Sequence, residues 1–121
     1  MSISDGDNPR GVLDQDIIEE LREDMEDEFF ELIEAFLDET PTWLASLDAA
    51  VRNTDAEQIF QAAHTLKSSS GYMGATVMQS LAAKLESCGR DGGVHDCEPS
   101  LQELHQEYEA LRPRLETLVK S

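Results

Sequence analysis

The sequence predicts an all-α protein, an up-and-down antiparallel four-helix bundle with an additional short N-terminal helix. Three observations carry this. Apolar residues recur at spacings of three and four along most of the chain, the period of one helical face. Strict alternation is missing and β-branched residues are scattered, so no run reads as a strand. The periodic segments are about 12 to 20 residues long with short connections, which makes antiparallel neighbours of consecutive helices.

Leu13, Ile17, Ile18 and Leu21 fit the short first helix. Met25, Phe29, Leu32, Ile33 and Phe36 form the next apolar stripe, which runs to about Glu39. Thr40-Pro41 then reads as an N-cap followed by proline at the first helical position, where its missing N–H costs nothing. Trp43, Leu44, Leu47 and Val51 make the apolar face of the segment that follows, and Trp43 and Phe36 are assigned to the core. Thr54-Asp55-Ala56-Glu57 has the pattern of a capping box and opens another helix. Gly74 is its expected stop.

Val77, Met78, Leu81, Leu85 and Cys88 share one side of the next helix, with Gly89 expected just past its end. Arg90 to Asp96 is the clearest loop. In the last helix Leu101, Leu104, Tyr108, Leu111, Leu115 and Leu118 keep their phase through Pro113, which predicts a kink and not a stop.

At 121 residues the chain is one domain by length, and it can bury a core without metal or disulfide. Residues 1–11 are polar with Gly and Pro and are expected to be a disordered tail, leaving residues 12–121 as the bundle domain. There are 26 acidic and 9 basic residues, a net charge of −17. That balance argues against nucleic acid, whose phosphates need basic patches, and against anionic membranes. No apolar run is long enough to span a bilayer. No basic segment followed by an apolar one opens the chain, and there are two cysteines, Cys88 and Cys97. Reduced thiols in a cytoplasm are expected.

Against this charge one window stands out, AAHTLKSSSGYMGA, residues 62–75. From Gln58 to Ala83 the only charged residue is Lys67. With His64 at zero and about 100° per residue, Ile59, Ala62, Ala63, Leu66, Ser70 and Met73 form the core stripe. Phe60, Lys67, Ser68 and Gly71 fall within about 60° of His64 on the opposite side. Tyr72 and Met73 stand at the edge of that face or pack beneath it. A solvated histidine beside a solvated lysine is the bland reading. The small neighbours, the uncharged surround and the cation one turn away favour phosphoryl transfer through the imidazole, a competent nucleophile when neutral. No Walker-type or kinase glycine-rich loop is present. ATP binding is therefore not expected, and Mg²⁺ has to come from a partner.

The same window resembles the signature of histidine phosphotransfer (HPt) domains, roughly A-H-x-L-K-G-S-S-x-x-apolar-G-A. Ala63, His64, Leu66, Lys67, Ser69, Ser70, Met73, Gly74 and Ala75 match it in register. FLDETPTWLASLDAA and LAAKLESCGRDG look like the flanking helices of the family, so that the resemblance covers about residues 12–119. It implies a helical bundle that accepts a phosphoryl group from a phospho-aspartate receiver domain and passes it to another receiver in a multistep phosphorelay. The implied partners are the receiver domains of response regulators and of a hybrid sensor histidine kinase. The chain itself would be a stand-alone monomeric phosphocarrier, not an enzyme.

By the same resemblance His64 is the phosphorylated residue through Nε2, and Lys67 neutralises the phosphoryl oxygens. Glu86, 22 residues on, accepts from the other ring nitrogen. Phe60, Gly71 and Tyr72 would belong to the receiver-docking face. The family has glycine where this chain has Ser68, a hydroxyl that either binds the phosphoryl group or crowds it. A non-transferring adaptor of the same fold, and an unrelated helical interaction module, are the competing readings. Cys88, His95, Cys97 and His105 match no common zinc spacing, and no metal site is expected.

Overall fold

The computed structural model describes residues 10–120. The expected tail lies, for residues 1–9, outside the described residues. Among the described residues there are five α-helices and no strand: α1 (Gln15–Met25), α2 (Glu28–Arg52), α3 (Ala56–Tyr72), α4 (Thr76–Asp91) and α5 (Cys97–Lys120). A short 3₁₀ turn, Val94–Asp96, leads into α5. α2 packs on α3, α3 on α4, α4 on α5 and α5 back on α2, which closes a four-helix bundle. α1 is the additional short helix and leans on α2.

The bundle core is a continuous stack of fully buried side chains. Phe29, Ile33 and Leu47 come from α2, Ile59 and Leu66 from α3, Met78 and Leu85 from α4, and Leu104, Leu111 and Leu115 from α5. All follow the three-and-four spacing that faces one side of a helix to its neighbours.

Three boundaries differ from the sequence expectation. The segments on either side of Thr40-Pro41 are one helix, α2, which runs straight through the proline. Proline cannot donate to the Leu37 carbonyl one turn back. The Tyr108 hydroxyl of α5 donates to that carbonyl instead, at 3.2 Å. Thr40, expected to cap, is buried in the helix with its Oγ1 donating to the Phe36 carbonyl at 2.6 Å. Packing against α5 therefore replaces the bond that the proline removes.

At the start of α3 the cap is Asp55 and not Thr54. Asp55 Oδ1 accepts from Gln58 N at 3.1 Å, while Thr54 sits in the left-handed region at φ 50°. α4 does not end at Gly89 but runs to Asp91, and Gly92 takes the left-handed cap at φ 77°. Gly89 is buried inside the helix. Of the loop expected at Arg90 to Asp96, only Gly92 and Gly93 lie outside regular structure. α5 continues through Pro113 to Lys120, as the unbroken apolar phase requires.

The N-terminal segment is tied to the turn after α3 and to α5. Asp14 caps α1, accepting from Asp16 N at 3.0 Å and Ile17 N at 3.3 Å. Its own N–H donates to the Gly74 carbonyl at 2.8 Å, in the turn after α3. Val12 N donates to the buried Glu107 of α5 at 2.9 Å, and Arg114 donates to the Gly11 carbonyl.

Candidate functional site

α3 presents the two faces that its sequence predicts. Ile59, Ala62, Ala63, Leu66 and Ser70 are buried, and Met73 lies beneath the end of the helix. The side chain of His64 is 56 % exposed on the opposite face. Phe60, one turn earlier, stacks on the imidazole with ring centroids 6.0 Å apart and planes 14° from parallel. The imidazole is thus steadied on one side by an offset aromatic contact.

α4 runs antiparallel to α3, and Glu86 faces His64 from it. Glu86 Oε2 lies 2.6 Å from His64 Nδ1, and Glu86 Oε1 accepts from Lys67 Nζ at 2.6 Å. Only 9 % of the Glu86 side chain is exposed. Lys67 first and His64 second hold its carboxyl below the ordinary value of 4.5, against the upward pull of burial. An ionised carboxylate only accepts hydrogen bonds. Nδ1 is therefore the protonated nitrogen of a neutral His64 ring, and Nε2 carries the lone pair on the open side. Glu86, expected to accept from the imidazole, thus lies within hydrogen-bonding distance of it.

Lys67 is expected on the exposed face as the cation beside the phosphoryl group. Its side chain is 33 % exposed and tied to α4. The signal for this is in the sequence, because no carboxylate lies within a turn of Lys67 on α3. Its counter-ion has to come from another helix. Ser68 is exposed, and its hydroxyl has no hydrogen-bond partner among the described residues. Gly71 lies in the α3–α4 seam beneath the Gln79 side chain, where an added Cβ would collide with Gln79 Nε2.

Tyr72 is 56 % exposed, and its hydroxyl contacts Met25 Sδ of α1 at 3.9 Å. Next to it an apolar groove opens between α2 and α3, lined by Leu32, Phe36, Trp43, Thr65, Tyr72 and Met73. Sequence reasoning missed this groove. Trp43 shares a helical line with Phe36 and was assigned to the core, yet it is only half-buried and forms a wall of the groove.

Among the described residues Cys88, His95, Cys97 and His105 form no metal-binding set, although the two cysteines are neighbours. Cys88 is the thiol neighbour of buried Cys97, whose own thiol is pushed up to about 12, first by burial and then by Cys88. His105 Nε2 instead pairs with Asp48 Oδ1 of α2 at 2.8 Å, and His95 is exposed in the 3₁₀ turn.

The Hpt domain family matches residues 31–113, more than half of the chain. The solved structure of histidine-containing phosphotransfer protein B from Pseudomonas aeruginosa PAO1 is similar, with a TM-score of 0.87 and 28% identity. That match covers 89% of this chain and 94% of the other. The HPT domain of a sensor hybrid histidine kinase from Shewanella shares the fold, with a TM-score of 0.77 and 22% identity over 89% of this chain and 93% of the other. No curated protein sequence matches at a significant level.

Proposed function

From the premise that this chain belongs to the Hpt domain family, whose role is phosphotransfer in phosphorelays, we propose that His64 is its phosphoryl carrier. The group is taken from the phospho-aspartate of one receiver domain and handed to the aspartate of another. The observation that carries this is the 2.6 Å contact between Glu86 and His64 Nδ1. It leaves Nε2 unprotonated on an exposed face.

The step balances without a proton leaving the ring. The Nε2 lone pair forms the bond to phosphorus as the acyl P–O bond breaks, and the electron pair of that bond leaves with the receiver carboxylate. The imidazole becomes cationic, with Nδ1–H still donating to Glu86. Its positive charge then sits beside a carboxylate. Charge builds on the phosphoryl oxygens in a loose transition state, and Lys67 is close enough to His64 to turn from Glu86 toward them. Mg²⁺ held by the partner receiver supplies the second positive charge. Phe60, Gly71 and Tyr72, with the apolar groove beside Tyr72, form the docking face.

The carrier acts as a monomer in the cytoplasm, takes its phosphoryl group from a receiver and not from ATP, and comprises residues 12–121. No helix among the described residues is long and apolar enough to cross a membrane.

The test is transfer from a receiver domain phosphorylated with a small-molecule phosphodonor in the presence of Mg²⁺. The wild type is expected to gain an acid-labile, base-stable label, and His64→Ala to gain none. Equal labelling of His64→Ala overturns the assignment. A wild type that binds the phosphorylated receiver and stays unlabelled is the adaptor.

A further inference from the structure

α4 approaches the backbone of α3 closely one turn from the site. The antiparallel register places Gly89 against Phe60, Glu86 against His64 and Gln79 against Gly71. A Cβ on Gly89 would lie 2.6 Å from Phe60 N, 2.8 Å from Ala56 O and 3.0 Å from Phe60 Cα. All three atoms belong to the backbone of α3, so none can swing aside. At Gly71 the obstacle is the far end of the Gln79 side chain, which can rotate away.

Nothing else requires glycine at 89. It lies inside α4, and the left-handed cap is taken by Gly92. Helix propensity alone favours alanine there. The absent side chain matters for space.

We propose that Gly89 is a positioning residue of the site. By letting α4 rest on the backbone of α3, it brings the Glu86 carboxylate within hydrogen-bonding distance of His64 and Lys67 together. It thereby holds the His64 ring with Nδ1 protonated and Nε2 free.

The distances support this link. Glu86 is one turn before Gly89 on α4, and His64 is one turn after Phe60 on α3, so the seam and the site share a pair of adjacent turns. Restoring an ordinary contact of 3.4–4 Å from 2.6 Å would part the helices by on the order of 1 Å. A bond of 2.6 Å lengthened that far leaves hydrogen-bonding range. Glu86 can follow one of its two partners by changing rotamer, but a single carboxylate cannot follow both.

The functional consequence rests on His64 being the phosphoryl acceptor, whereas the geometric part does not. The experiment separates them. Nitrogen-15 NMR of the imidazole, on unphosphorylated protein without any receiver, reads the His64 tautomer. The wild type is expected to show Nδ1 protonated and Nε2 bare. Gly89→Ala is expected to show a mixture of tautomers and phosphotransfer slower by on the order of tenfold or more, with circular dichroism still helical.

Gly89→Ala that keeps the wild-type tautomer signature overturns the proposal. If the alanine variant does not fold, Glu86→Asp keeps the glycine and withdraws the carboxylate by one methylene. An unchanged tautomer there overturns the claim that reach sets the ring. A wild type with the Nδ1–H signature and no phosphoryl label refutes the transfer reading alone.

Discussion

Glu86 holds two residues of the opposite helix with its two oxygens, Oε2 at 2.6 Å from His64 Nδ1 and Oε1 at 2.6 Å from Lys67 Nζ. The lysine is therefore already paired before any ligand arrives. In the transfer proposed above it would be shared between a buried carboxylate and an incoming dianion. The histidine would keep its contact throughout, because Nδ1 is not the nitrogen proposed to react. The carboxylate fixes a tautomer and holds a cation in reserve with one side chain.

A first prediction follows from the depressed acidity of Glu86. Its folded-state value lies below the ordinary 4.5 because Lys67 and His64 both stabilise the anion. In that window the unfolded chain binds more protons, so stability rises with pH. The contribution is fully present above about pH 4.5 and is lost as pH falls through the folded-state value. Glu86→Gln removes this part of the acid limb. Denaturant unfolding from about pH 6 down to about pH 3 is expected to show a shallower loss for the variant than for the wild type. Parallel curves would mean that the carboxylate is equally acidic in the folded and unfolded chain.

Lys67→Ala tests the reserve cation. With two-thirds of its side chain covered and a charge-assisted bond to Glu86, its loss is expected to cost about 1 kcal/mol. That exceeds the change within about 0.5 kcal/mol that a solvated surface lysine would give. Transfer is expected to slow as well, because the phosphoryl oxygens lose their nearest protein cation. Urea melts and transfer kinetics on the same preparations read the two effects separately. A variant of wild-type stability and rate would return Lys67 to the status of a surface charge.

Tyr108→Phe probes how α2 survives its proline. The hydroxyl is the donor to the Leu37 carbonyl that Pro41 leaves bare, and Tyr108 is 3 % exposed. Removing it strands a half-buried acceptor, at about 1–2 kcal/mol. Thermal unfolding of Tyr108→Phe beside Tyr108→Phe/Pro41→Ala checks the cause. Restoring the backbone donor at position 41 is expected to recover part of the loss, and no recovery would detach the hydroxyl from the proline.

These sites also show what was legible in the sequence. A helical wheel describes one helix. It puts His64, Phe60, Lys67 and Ser68 opposite the core stripe, where His64 and Ser68 are exposed. It does not show that Phe60 and Lys67 are half-buried, Lys67 through its bond to Glu86 of α4. The break expected at Thr40-Pro41 failed because the compensating donor, Tyr108, is 67 residues away in the chain. Gly89 was read as a helix end because glycine favours that place. Its role comes from the α3 backbone lying against it, and no spacing rule encodes that. Trp43 was assigned to the core for the same reason. Its phase matches Phe36 and both line the groove, but only the packing of the neighbouring helices decides that Phe36 is buried and Trp43 half-buried.

Ser68 is where the competing effects can be separated by one substitution. It lies one turn after His64 and about 40° round the helix from it, on the side away from Lys67. Its hydroxyl is exposed and has no partner among the described residues, which leaves it to water in the free protein. A bond from that hydroxyl to a phosphoryl oxygen would exchange one partner for another, with a small net gain. Crowding acts differently. It is felt only when a receiver's aspartate approaches in line, and there a misplacement of about 1 Å costs on the order of a hundredfold in rate. Ser68→Gly is therefore expected to raise the transfer rate severalfold while lowering stability by about 0.5–1 kcal/mol, the cost of glycine inside a helix. Transfer kinetics against one receiver, with thermal melts alongside, measure both. A glycine variant that transfers more slowly would make the hydroxyl a ligand of the phosphoryl group and not an obstruction to its donor.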